Sequence, residues 1–230
     1  MINGFLQQFL ERLSIKLGEL YNKNLHVVSA RAMPAFAGNP QKLIIELPRK
    51  VANPERITIG SNVSLGPGCL LAAMTQYPTA WMKHPERELE IQRFDSRIII
   101  GNNVTATERL QLAACSEITI GNDVMFASNV HINDSMHGYG RTDLAYKYQP
   151  LQGIAPIMIG QGCWIGQNVV ILPGVEIGEF AIIGANSVVT RSVPARTIAA
   201  GSPARAIKEW DDASGDWVRC TVQDNSGSDA

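Results

Sequence analysis

The chain has 230 residues, 45% hydrophobic and 18% charged, with a formal net charge of −1. That suits one soluble domain with a real core plus flanking elements, and the balanced charge leaves no footprint for nucleic acid. No apolar run is long enough to span a bilayer and the start does not resemble a signal peptide, so a cytoplasmic protein is expected.

Residues 2–21 place Phe5, Leu6, Phe9, Leu10, Leu13, Leu17 and Leu20 at helical spacing, which predicts an amphipathic helix. Its polar face mixes acidic and basic residues, which favours a cap on the end of a repeat stack over weak contact with the inner face of a membrane. Residues 22–56 are irregular apart from a candidate strand at 43–47, so 1–56 is set apart as helix and capping segment.

From residue 57 an aliphatic residue returns every six positions, beginning with Ile59, Leu65 and Leu71. Residues 72–97 break the period and carry Tyr77, Trp81 and His84. It resumes at Ile100, slips by two between Ile118 and Ile120, and runs on through Phe126 and Ile132. A second excursion, 133–156, has no repeats and holds His137. The longest run follows, with Ile159, Ile165, Ile171, Ile177, Ile183 and Val189 in step and glycine directly after four of them. The repeats are expected over 57–200. Ser202 as N-cap and Pro203 in the first turn predict a short C-terminal helix, followed by a flexible acidic tail to residue 230 in which Trp217 and Val218 dock locally.

A fixed period of six implies stacked repeats. Six is a multiple of the strand period of two, so each recurring aliphatic residue faces the same side of a short strand. Glycine relieves crowding at the corners, and Asn or Asp there tolerates left-handed backbone angles. Three such faces close one triangular coil, and coils stack by exchanging backbone hydrogen bonds. Cys69, Cys115, Cys163 and Cys220 lie far apart with no C-x-x-C pair. Reduced thiols are expected, the first three packed in or near coils.

In this pattern the chain resembles the hexapeptide-repeat acyltransferases. The resemblance implies an all-β solenoid, a left-handed parallel β-helix. It is nearest the polysaccharide and lipopolysaccharide O-acetyltransferases, because ITIGNDVMFASNVHINDSMHG matches them in spacing and ends in D-x-x-H-G. It implies transfer of an acetyl group from acetyl-CoA to a sugar hydroxyl, with His137 as general base, a task imidazole suits because its unperturbed pKa lies near neutrality. The bland alternative is a surface loop histidine. Asp134 is the candidate to orient His137 or to bond the acceptor, set level with a turn-forming Asp that bonds backbone. Asn133, Arg109 and Tyr139 are candidate acceptor contacts, Arg109 standing where galactoside-type relatives carry an acceptor-contacting Asn. Strand alternation points His131 outward. His26 is expected at the surface or in local packing, and His84, in the first excursion, is either an exposed loop histidine or one that lines a site.

For coenzyme A the resemblance implies Trp164 beside the pantetheine, the backbone at Gly166, Gly184 and Ala185, then Thr190 and Arg191, with Arg205 and Lys208 near the phosphates. A guanidinium suits phosphate by its fork geometry and permanent charge. Each match has a plain alternative: a subunit interface for Trp164, a turn for Thr190, a helix cap for Arg205. The resemblance further implies a homotrimer with active sites between subunits. No metal is expected, since only His131 and His137 lie close together, short of a three-ligand catalytic zinc site. The competing classes are a non-catalytic β-helix scaffold and the same chemistry on an antibiotic.

Overall fold

The computed structural model describes residues 4–220. Among these, short strands form three parallel faces. The first holds Ile57–Ile59, Arg97–Ile100, Glu117–Ile120, Ile157–Ile159 and Glu176–Ile177. The second runs from Leu43–Ile45 through Val63–Leu65, Thr105–Ala106, Met125–Phe126, Trp164–Ile165 and Ile182–Ile183 to Thr197–Gly201. The third comprises Lys50–Ala52, Leu70–Ala73, Gln111–Ala114, His131–Asn133, Val170–Ile171 and Val188–Val189. The chain visits the faces in rotation, as the expected parallel β-helix requires.

The six-residue period is the register of this stack. Ile57 pairs with Ile98, Ile98 with Ile118 and Ile118 with Ile157, while Ile120, Ile159 and Ile177 align one step on. These side chains are at most 3% exposed and form one continuous core. Corner chemistry is divided between two residue types. Among non-glycine residues, left-handed backbone angles fall mainly on Asn and Asp, as at Asn62, Asn103 and Asp123 on one edge and Asn129, Asn168 and Asn186 on another. Their side chains hydrogen bond from coil to coil, Asn103 Nδ2 to Asp123 Oδ1 at 2.8 Å and Asn168 Nδ2 to Asn186 Oδ1 at 2.9 Å. Gly66 answers crowding instead: a Cβ there would lie 1.7 Å from the carbonyl oxygen of Thr107 in the next coil.

Two helices precede the coils, α1 (Gly4–Lys23) and α2 (Leu25–Arg31). The predicted amphipathic helix forms, but its capping role is corrected. The described side chains of α1 are exposed, including Leu6, Phe9, Leu13 and Leu17. It is α2 that covers the first coil. Ser29 is buried and its hydroxyl accepts from Leu47 N at 3.2 Å, while the Arg49 guanidinium donates to the carbonyls of Ser29 and Ala32 at the helix end. The side chain of His26 lies outside the described residues.

The predicted C-terminal helix is also corrected. Ala204–Asp211 folds back antiparallel on Thr197–Gly201, and Asp216–Arg219 adds a further antiparallel strand. The last coil otherwise leaves an open edge of unpaired amides and carbonyls on the second face, and strand pairing satisfies it where a helix could not. Residues 211–220 are therefore strand and turn, with Trp217 packed edge-on against Trp210 at 5.5 Å. The rest of the expected flexible tail, 221–230, lies outside the described residues.

Both predicted excursions occur, each closed by a small antiparallel pair: Gln76–Tyr77 with Gln92–Arg93, and Met136–His137 with Leu151–Gln152. Each leaves from the end of a third-face strand. Cys69, Cys115 and Cys163 are buried free thiols, and burial pushes those of Cys69 and Cys163 up to about 11.

Gly66→Ala is expected to cost about 1–3 kcal/mol by overpacking against the next coil. Gly140→Ala, at a glycine with open space around it, should cost little. Denaturant unfolding of the two variants checks the contrast.

Candidate active site

The site is built where the two excursions meet. They exit from strands Leu70–Ala73 and His131–Asn133, which flank Gln111–Ala114 and so stand about 10 Å apart. Gln92 of the first excursion bonds both backbone groups of Leu151 in the second, donating to its carbonyl at 3.0 Å and accepting from its amide at 2.7 Å. The rings of His84 and Tyr148 meet edge-on at 4.8 Å. Between the excursions and the third face lies a cleft of about 430 Å³. Tyr77, His131, Asn133, His137, Leu151 and Pro173 are among its lining residues.

His137 lies exposed on its short strand at this cleft. Its Nδ1 is 3.2 Å from the Tyr77 hydroxyl, and the two rings are T-shaped at 5.5 Å. Tyr77 is only 5% exposed and donates its own proton to the carbonyl of Lys147. Burial raises the phenol above its usual pKa, which keeps it protonated.

Asp134 does not orient His137, which corrects the first of its two candidate roles. It is fully buried, with Oδ1 accepting from Cys115 N at 2.7 Å and Oδ2 from Ser116 N at 2.6 Å. The physical reason lies in the two-residue slip of the repeat. The coil from Ile100 to Ile120 is two residues longer than that from Ile159 to Ile177, and the surplus at Cys115 and Ser116 presents amides that the carboxylate satisfies. Burial moves the Asp134 pKa up while these amides pull it down. With both oxygens so engaged and no exposure, it is not placed to touch an acceptor either.

Other predicted residues divide. Asn133 lines the cleft. Arg109 does not reach it: this residue takes a left-handed corner position (φ 52°) against Gly68, at the opposite end of the third face from Asp134. Tyr139 is 66% exposed and does not line the cleft. His131 points outward as strand alternation requires, yet the cleft brings it beside His137, and its Nε2 lies 3.3 Å from Asn129 Oδ1. Tyr77 was legible only as an aromatic residue in a broken stretch of period.

The family model described as bacterial transferase hexapeptide (six repeats) matches residues 156–191. The Escherichia coli (strain K12) protein provisionally named lipopolysaccharide biosynthesis O-acetyl transferase WbbJ is 32% identical over 174 residues, 73% of this chain and 79% of its own length. The chain belongs to the hexapeptide-repeat acyltransferases. Another member, galactoside O-acetyltransferase from the same organism, is 37% identical over 123 residues, 52% of this chain and 57% of its own length. Among solved folds, a variant of AntD, an N-acyltransferase from Bacillus cereus in complex with dTDP and coenzyme A, superimposes with a TM-score of 0.61. At 19% identity, over 78% of this chain and 87% of that one, it shares the fold.

In this member of the family most of the residues matched to coenzyme contacts gather along the second face. Trp164, 48% exposed, is in register with Ile182, Ile182 with Ile198 and Ile198 with Lys208. A bulge skips Ile207, so Arg205, opposite Ala200, projects from the same side as Lys208. Gly166, Gly184 and Ala185 form the adjoining corner, where the Gly166 backbone sits against Ala185. Thr190 and Arg191 are exposed at the other edge of the third face, two strands along from His131–Asn133.

Asp134→Asn leaves at least one of the two amides facing an NH₂ group. Unfolding stability is expected to drop by about 1–3 kcal/mol. Because Asp134 touches Cys115 and Ser116 and not His137, pH–rate profiles of the variant should keep the wild-type shape; a displaced acidic limb, where the imidazole takes up its proton, would restore the orienting role.

Proposed function

We propose that the protein is an acetyl-CoA-dependent O-acetyltransferase that acts on a sugar hydroxyl of a cell-surface polysaccharide or its precursor. The observation that carries this reading is His137. An anchored imidazole stands at the rim of a cleft sized for a small substrate, in a chain 32% identical to a protein named for lipopolysaccharide O-acetylation.

In the reaction the acceptor oxygen attacks the thioester carbonyl carbon as His137 removes the hydroxyl proton. The tetrahedral intermediate then collapses, the carbon–sulfur bond breaks, and the imidazolium returns the proton to the leaving sulfur. The products are an acetyl ester and free coenzyme A, with no covalent enzyme intermediate. Trp164 flanks the pantetheine, and Arg205 and Lys208 supply cations for its phosphates. Asn133 borders the acceptor. His137 stands at the end of the third face and Trp164 on the second, so a site that uses both draws them from neighbouring copies. A homotrimer supplies that arrangement by closed rotation. Buried free thiols suit the reducing cytoplasm, where the reaction is placed. Among the described residues no helix is long and apolar enough to cross a membrane. The uncovered apolar stripe of α1 suits contact with the membrane surface, where a lipid-linked acceptor resides.

Calorimetric titration with acetyl-CoA is the first test, with Trp164→Ala and Arg205→Ala expected to weaken binding. Absence of binding to the intact protein overturns the reading. His137→Ala should keep acetyl-CoA binding and lose about 10²–10⁴-fold in turnover; undiminished turnover removes His137 from the chemistry. Separately, Leu13→Glu with Leu17→Glu should abolish co-sedimentation with anionic vesicles while leaving turnover on a soluble acceptor intact.

A further inference from the structure

We infer that Tyr77, from the other excursion, is a positioning residue that sets the tautomer of His137, holding its proton on Nδ1 and leaving Nε2 free as the base. The argument is a count of protons. A tyrosine hydroxyl has one hydrogen to donate and lone pairs to accept with. The Lys147 carbonyl can only accept, so the Tyr77 proton is committed there. Its oxygen therefore faces His137 Nδ1, 3.2 Å away, as an acceptor, and Nδ1 must carry the hydrogen. A neutral imidazole protonated at Nδ1 bears its lone pair on Nε2. Among the described residues Nε2 has no hydrogen-bond partner, and the exposed ring borders the cleft.

The assignment is not what an unconstrained ring would adopt. A histidine side chain free in water favours the proton on Nε2, which would leave most of the population unable to take a proton at that atom. Tyr77 reverses the preference because its hydroxyl is itself pinned. The ring is buried, the carbonyl fixes the direction of the O–H bond, and the T-shaped contact at 5.5 Å and 66° fixes the plane of the imidazole. In many sites a carboxylate performs this service; here the nearby carboxylate is spent on Cys115 and Ser116.

The tautomer itself is independent of the substrate; its catalytic consequence rests on His137 being the general base. Long-range ¹H–¹⁵N correlation spectra of the full-length protein with ¹⁵N-labelled histidine, at a pH where the ring is neutral, read it directly. The His137 signals are assigned by their loss in His137→Ala. The expected result is a protonated Nδ1 and a bare Nε2 in the wild type, shifting in Tyr77→Phe to a mixture dominated by protonated Nε2. Turnover in Tyr77→Phe should fall about tenfold, short of the 10²–10⁴ that a lost base costs, with the KM for acetyl-CoA unchanged. Gln92→Ala loosens the same pair of excursions without touching His137, and should leave the tautomer as in the wild type. A wild-type ring protonated on Nε2, or a Tyr77→Phe ring that keeps its proton on Nδ1, overturns the inference. If the tautomer behaves as stated but no acyl transfer to any sugar is found, the proposed activity fails while the assignment stands.

Discussion

Coil-on-coil register is the constraint from which the rest of the structure follows. Each short strand gives its backbone hydrogen bonds to the coils before and after it, and each inward aliphatic residue lies over its equivalent. That arrangement works only if successive coils keep nearly the same perimeter. Surplus chain has to leave at a corner, and both large excursions leave at the corner between the third and first faces. Functional loops thereby stand together above one short stretch of a rigid prism, which is how a scaffold of repeats makes a local site.

The same constraint explains the buried polar groups. Two extra residues in one coil lift Cys115 and Ser116 out of the regular ladder, and an unpaired buried amide costs about 1–3 kcal/mol. Asp134 supplies both missing acceptors and thereby fastens the base of the second excursion to the coil below. Gln92 fastens its far strand to the first excursion through Leu151. His137 sits between these two anchors. Its exposure at the cleft and the rigidity of its surroundings have separate causes, one in the excursion and one in the coil beneath.

Local rules misjudged the two ends of the chain for a common reason. A stripe of leucines in α1 satisfies every criterion for an amphipathic helix, but amphipathicity does not name the surface that it meets. Ser-Pro ahead of Ala204 satisfies the criteria for a helix start, yet the open edge of the last coil offers strand pairing that local propensity does not see. Arg109 misled similarly. Counting positions placed it at an acceptor contact, whereas its backbone occupies a corner reserved in neighbouring coils for Gly68 and Asn129.

What the amino-acid sequence determined alone was everything set by period: the stacked coils, the inward Ile and Val, the Asn corners, the two excursions, and His137 at the opening of the second. A six-residue repeat is a one-dimensional signal, and coil stacking reads it out in order. What only the tertiary structure decided was which excursion residues touch. Tyr77 and His137 stand sixty positions apart and meet at 3.2 Å because two corners of a prism lie above one another. Asp134 is three residues from His137 and does not touch it, because strand alternation turns it down into the coil and its carboxylate finds two unpaired amides there first. Nearness along the chain suggested one partner for the histidine, and the closure of the coils supplied another.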